Sequence, residues 1–315
     1  MRSATGKKNR QFIKWFKDIR IEDVPLVGGK NAALGEMCAK LVPLGINVPN
    51  GFAITAAAYD YFLEGAGLKR EIKRALHGLD TKNLRDLASR GAAVRRLILR
   101  AELPADLGRA IAHAYAQLEK LHGKSTDVAV RSSATAEDLP GASFAGQQET
   151  YLNVVGIGAV LRATKKCIAS LFTNRAISYR ADKGFSHFKV ALSVGIQKMA
   201  RSDLAASGVA FTLDTETGFD RVIVINGSYG LGEMIVQGKV TPDEFVVFKP
   251  TLKTGHRAII GKELGMKTVK LVYGKRGTEE VGVPDEDRKR MCITDAEALT
   301  LARWCLKIEE YFSKK

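Results

Sequence analysis

Residues 129–154 read AVRSSATAEDLPGASFAGQQETYLNV, and the texture of the chain changes at this point. Val128-Ala129-Val130 is a short apolar run that predicts a buried strand, and Thr150–Val155 predicts a second. Between them a loop rich in Ser, Thr and Gly extends through Gly146. Loops longer than about 12–15 residues in a compact domain are functional or disordered, whereas turn formers alone would make this a plain surface loop. As a ligand loop it suits an anion. Arg131 follows on the first strand with planar paired donors, Ser132, Ser133 and Thr135 add hydroxyls, and Gly146 lets backbone approach closely.

Towards the N-terminus, a Val24-Pro25 turn precedes Val27-Gly28-Gly29-Lys30, which opens a helix with Ala33, Leu34, Met37 and Leu41 at near-helical spacing. Helix-start N–H groups favour an anion, glycines admit it, and Lys30 adds a full charge. The pattern is not G-x-x-x-x-G-K-[ST]. Read alone, a helix-capping glycine turn followed by a solvated lysine is the simpler account. Thr55 predicts the N-cap of a helix to about Glu64. Residues 68–122 are mostly helical, with one apolar stripe through Leu84, Leu87, Val94, Leu97 and Ile98. A second stripe, after Leu103-Pro104, runs through Leu107, Ile111, Tyr115 and Leu118.

Towards the C-terminus comes a basic amphipathic helix with Leu161, Ile168, Leu171, Phe172 and Ile177 inward. Strand-like runs follow at Val190–Met199, Val209–Leu213, Val222–Asn226 and Phe245–Phe248, close enough for a largely antiparallel sheet. Gly227-Ser228-Tyr229-Gly230-Leu231-Gly232 has the wrong order for a dinucleotide fingerprint and reads as a tight strand-to-helix turn. Thr294-Asp295-Ala296-Glu297 fits a capping box for a final helix. The contrast between 1–190 and 190–250 predicts an α+β protein of two lobes joined near Gln197.

The chain has 315 residues, 45% of them hydrophobic, and a net charge of +15. That suits one large or two small soluble domains and attracts polyanions without specifying one. No apolar run nears the roughly 18 residues of a membrane span, and no signal-peptide core follows the basic N-terminus. Cys38, Cys167, Cys292 and Cys305 are too scattered for a zinc site or disulfide framework, so a cytoplasmic location is expected. The five histidines lack ligand spacing, and no metal ligand is assigned. Lys262, Lys267, Lys270, Lys275 and Arg276 read as a solvated face, which makes nucleic acid an unlikely partner.

In order along the chain, VGGKNAALGEM (27–37), VPNGFAIT (48–55), residues 129–154, SLFTNRAISYR (170–180), QKMARSDLAASGVAFTLDTETGFD (197–220) and YGLGEMIVQGKVTPDEFVVFKP (229–250) resemble the nucleotide-binding region of the phosphoenolpyruvate synthases (pyruvate, water dikinases). Pyruvate phosphate dikinases and rifampicin phosphotransferases are more distant, and the segments at 129–154 and 229–250 disfavour antibiotic phosphorylation. The resemblance implies an ATP-grasp-like fold whose two lobes, 1–195 and 196–315, clamp ATP. Lys30 and Arg131 would contact phosphates, Gly146 and Thr150 would line the nucleotide, and Gln197 would read the adenine edge beside Lys198 and Met199. ATP and Mg²⁺ are the implied cofactors.

In that family ATP, pyruvate and water give phosphoenolpyruvate, AMP and phosphate, by way of a carrier histidine. A strand with a metal-binding Glu, a Gln-Ala-Arg segment, the carrier-histidine motif and the pyruvate barrel are not found in this sequence. The expectation is therefore a domain incomplete at its C-terminal edge, needing further domains or a second chain. The alternatives are a non-catalytic nucleotide-binding remnant and a basic polyanion-binding protein.

Overall fold

The computed structural model describes residues 11–135, 138–139, 142–143, 149–184, 186–188, 190–274 and 277–313. The architecture is α+β, in two compact units, Met1–Met199 and Ala200–Lys315.

The first unit runs β1 (Ile13–Trp15), α1 (Val24–Lys40), β2 (Gly51–Ile54), α2 (Ala56–Gly65), α3 (Leu68–Leu76), α4 (Leu84–Arg100) and α5 (Ala105–His122). It continues with β3 (Asp127–Ala134), the two-residue strands β4 (Asp138–Leu139) and β5 (Ala142–Ser143), β6 (Thr150–Val155), α6 (Ile157–Ser170), α7 (Asn174–Asp182) and β7 (Leu192–Lys198). Five strands form an antiparallel sheet in the order β1-β2-β7-β3-β6. One face carries Phe52, Ile54, Val128, Val130, Leu192, Val194 and Ile196 into the main core, among the apolar stripes of the helices. Each such side chain contributes roughly 1.5–3 kcal/mol by leaving water. The other face takes α1, with Val27, Ala32, Phe16, Ile19 and Ala53 between them.

Local signals account for the helix ends. The Thr55 hydroxyl accepts from Ala58 N–H at 3.3 Å and starts α2. The single basic helix expected after β6 is two, because the chain turns at Leu171–Thr173 and Thr173 caps α7 through Ala176 N–H. β7 differs more. Its alternation placed it with the later strands, yet it is the middle strand of the first sheet, with Ser193 and Gly195 as buried as their apolar neighbours.

The second unit holds β8 (Ala206–Phe211), β9 (Val222–Tyr229), α8 (Glu233–Val236), β10 (Asp243–Phe248), α9 (Lys249–Thr254) and β11 (Ile259–Glu263). The hairpin strands β12 (Val269–Gly274) and β13 (Gly277–Gly282) follow, then α10 (Asp285–Arg288) and α11 (Asp295–Phe312). Its antiparallel sheet has the order β11-β10-β9-β8. Ile223, Ile225, Phe245 and Val247 pack under Ala298, Ala302 and Leu306 of α11. The capping box at Thr294 is formed: its hydroxyl accepts from Glu297 N–H and the Glu297 carboxylate accepts from Thr294 N–H. After β9, Gly230 at φ +81° makes the expected tight turn into α8.

The basic stretch 262–276 needs correction. Lys262 is exposed and paired with Asp295, but Lys267 is fully buried against Asp243 and is not part of a solvated face. Lys275 and Arg276 lie outside the described residues. Among the described residues no helix is long and apolar enough to cross a membrane.

Candidate functional site

Strand register brings several of the singled-out residues onto one face of the first sheet. Arg131 pairs with Thr150 on β6 and with Gly195 on β7. Paired residues project to the same side, as do residues two apart on a strand. Thr150, Arg131 and Gly195 therefore form one row across three strands. Ala129, Gln197 and Gly51 form a second row on the same face, and Ser133 with Ser193 a third.

α1 is pinned onto this face at the third row. Asn31 donates its backbone N–H to Ser133 Oγ at 3.2 Å and its side-chain amide to Ser193 Oγ at 3.0 Å; Ser193 in turn donates to Ile54 O at 2.7 Å. Two glycines make the approach possible. Gly28 breaks the helical backbone at φ +75°, and a Cβ there would collide with the Ser133 hydroxyl and carbonyl. A Cβ on Gly195 would collide with Asn31 Oδ1. The helix thus restarts after Gly28, with Gly29, Lys30 and Asn31 in its first turn and Lys30 exposed. The glycine-helix start is a built feature of the sheet face.

Arg131 lies within β3 rather than after it, and it alone on that strand is exposed. Its side chain is thus directed away from the packed core, as is usual for arginine. The three hydroxyls beside it have structural partners. Ser132, on the opposite face, donates to Glu149 O at 3.1 Å; Ser133 is fully buried under Asn31; Thr135 donates to Ala191 O at 3.2 Å. The expectation that these hydroxyls add ligand donors is corrected for that reason. Thr150 is exposed at the start of β6. Gly146 lies outside the described residues.

Gln197 is half-buried near the end of β7, and its side-chain amide donates to Pro49 O at 3.1 Å. The next two backbone N–H groups are occupied, Lys198 by Asn50 O at 2.9 Å and Met199 by Asp127 O at 3.1 Å. Lys198 Nζ donates to Asp127 Oδ1 at 2.5 Å and to Met199 O at 3.0 Å, which fixes this end of the strand. Met199 is half-buried.

Asn31 was quoted in the sequence without a role, and it is the residue that joins helix to sheet. The signal available was its position directly behind Gly-Gly-Lys; its two serine partners, 102 and 162 residues away, left no local trace. Among the described residues no group of three or more His, Cys, Asp or Glu side chains could hold a metal ion.

The chain is similar to the phosphoenolpyruvate synthase of Aquifex aeolicus (strain VF5), 56% identical over 312 residues that cover 98% of this chain and 36% of that protein. It is 52% identical to the phosphoenolpyruvate synthase of Synechocystis sp. (strain ATCC 27184 / PCC 6803 / Kazusa), over 99% of this chain and 39% of the relative. It is 47% identical to that of Escherichia coli (strain K12), over 96% and 39%. The chain thus spans under two fifths of the length of these curated relatives. Residues 24–315 match the family described as pyruvate phosphate dikinase, AMP/ATP-binding domain. With the fold and the Gly28–Asn31 turn on the sheet face, that match over nearly the whole chain establishes that it belongs to the pyruvate phosphate dikinase AMP/ATP-binding domain family.

Proposed function

We propose that this chain is the ATP-binding, phosphoryl-donor part of a phosphoenolpyruvate synthase, built as an ATP-grasp-like domain. The observation that carries the reading is the register: Thr150–Arg131–Gly195 and Ala129–Gln197–Gly51 are successive rows on the face that α1 covers from Gly28 onward. In the proposal Lys30 and Arg131 bind the phosphates, Thr150 and Gly146 line the nucleotide, and Gln197 with Met199 meets the base. Phosphoryl transfer asks a protein mainly to position the group and to neutralise developing charge. A point charge from Lys30 and a planar fork from Arg131 suit those two tasks. With its amide held by Pro49, Gln197 offers its Oε1 acceptor to the exocyclic amino group of adenine, where guanine has a carbonyl. Mg²⁺ would enter together with the ATP phosphates, as this ion commonly binds.

For the whole protein the proposed reaction is ATP with pyruvate and water to phosphoenolpyruvate, AMP and phosphate. The acceptor and pyruvate sites would come from further domains or a second chain, in the cytoplasm.

Calorimetric titration with Mg-ATP tests the reading. The chain should bind at micromolar Kd and prefer ATP to GTP. Loss of two charge-assisted contacts in a Lys30→Ala, Arg131→Ala variant should weaken binding at least about 100-fold. A folded double variant that binds ATP as tightly as the parent chain would refute it.

A further inference from the structure

The helix turn that carries Lys30 has no cap of its own. The backbone of α1 breaks at Gly28 (φ +75°, ψ 162°) and becomes helical again with Gly29, Lys30 and Asn31. Counted from that break, Gly28 stands at the N-cap and Asn31 at the third helical position. An N-cap side chain ordinarily accepts from the N–H of the second or third helical residue. Gly28 has no side chain, and the acceptor comes from the sheet instead: Ser133 Oγ on β3 accepts the Asn31 N–H at 3.2 Å. A Cβ on Gly28 would fall onto that same hydroxyl. Ser133 therefore fills the place of the missing cap, from a strand 102 residues beyond Asn31.

The Asn31 side chain makes a second tie. Its amide donates to Ser193 Oγ at 3.0 Å, and its Oδ1 lies against Gly195, the register partner of Arg131. Asn31 thus meets the sheet in the row of Arg131, while Lys30 is its immediate neighbour in the helix. Gly28-Gly29-Lys30-Asn31 contains no apolar side chain, so hydrogen bonds rather than packing hold this turn to the strands. Asn31 is 4% exposed, and Ser133 and Ser193 are fully buried. Hydrogen bonds shielded in this way are stronger than the same bonds in water.

We propose that Asn31, anchored by Ser133 and Ser193, is a positioning residue for the phosphate end of the nucleotide site. It fixes the Lys30 backbone relative to Arg131, so that both cations meet the phosphates of one nucleotide. The proposal rests on the phosphate roles given to Lys30 and Arg131. Asn31 touches no ligand in it and acts through Lys30 alone. Charges held in place neutralise phosphate without reorganising as it binds. The base end lies outside this clamp, because Gln197 is four residues along β7 from Ser193, roughly 13 Å at the usual strand rise.

Calorimetric titrations with Mg-ATP and with adenosine, on variants whose melting transitions show them folded, test this. Asn31→Ala should weaken Mg-ATP binding about tenfold and leave adenosine affinity within about twofold of the parent. Ser133→Ala removes only the cap hydroxyl and should act in the same direction, which keeps the test open if Asn31→Ala does not fold. The deciding measurement is the double-mutant cycle. In a Lys30→Ala background, Asn31→Ala should change Mg-ATP affinity by less than about twofold, because nothing remains for it to position. An undiminished loss in that background would overturn the proposal. So would equal losses of ATP and adenosine, or unchanged ATP affinity in both Asn31→Ala and Ser133→Ala. A folded Lys30→Ala that binds Mg-ATP as tightly as the parent would remove the phosphate role of Lys30 itself, and the proposal with it.

Discussion

The two units bury a cation in opposite ways. In the second unit Lys267 lies against Asp243, both wholly buried, and every strong group around them is used. Asp243 also accepts from Gly265 N–H at 2.8 Å and Cys292 N–H at 2.6 Å, while Lys267 donates further to Gly265 O at 2.9 Å. In the first unit Arg180 is equally buried and leaves Nη1 unmet. The overall charge divides the same way. Residues 1–199 carry 31 Lys and Arg against 17 Asp and Glu, and residues 200–315 carry 18 against 17. The second unit carries nearly equal numbers of cations and anions, whereas the first carries an excess of cations, Lys30 and Arg131 among those exposed.

The largest expected effect tests the internally balanced half. Asp243→Ala strands a buried ammonium and frees two backbone N–H groups, so it should cost about 3–5 kcal/mol in denaturant unfolding. A loss below about 1 kcal/mol would mean the clasp is not the lock described. Next comes the sheet face of the first unit. Gly28→Ala forces a Cβ into Ser133 at positive φ, and should cost more than about 1 kcal/mol while weakening ATP binding. Unchanged affinity and stability would separate the glycine turn from the site.

A pH titration sharpens the contrast at Arg180. Burial, and then the neighbouring Arg180 charge, hold the folded His187 pKa down to about 4, below the ordinary 6.5, so between these values the unfolded chain binds the extra proton. The His187 contribution to stability is therefore complete above about pH 6.5 and is lost as pH falls towards 4. His187→Gln should flatten the difference in stability between pH 7 and pH 5, and an unaltered slope would count against a half-buried neutral imidazole. Smaller still, Thr294→Ala should cost about 1 kcal/mol through the α11 cap. Least of all, Lys262→Ala, which breaks an exposed pair with Asp295, should cost at most about 1 kcal/mol, and less at high salt.

Periodicity made much of the fold legible. β6 begins and ends where the Thr150–Val155 run does, and Thr55 and Thr294 mark their helices by the hydrogen bonds the residue type predicts. Legibility failed where polar residues are buried by distant partners. Ser132 and Ser133 read as loop because nothing local shows that Glu149 and Asn31 will satisfy them. β7 was misplaced because its Ser193 and Gly195 look like a solvent face until α1 covers them. Lys267 read as solvated because its carboxylate lies 24 residues earlier. At the site, residue types pointed to Lys30 and Arg131, but their alignment with Thr150 and Gln197 is a property of register that no local spacing encodes.

The central claim, that nucleotide binds over the Arg131–Gln197 face of the first unit, is tested most directly by NMR of methyl-labelled methionine during Mg-ATP titration. Met199, two residues beyond Gln197 and half-buried, reports that end of the face. The account predicts a saturable shift of the Met199 methyl resonance that Lys30→Ala, Arg131→Ala abolishes. Saturable ATP binding that leaves the Met199 methyl resonance where it was would contradict it.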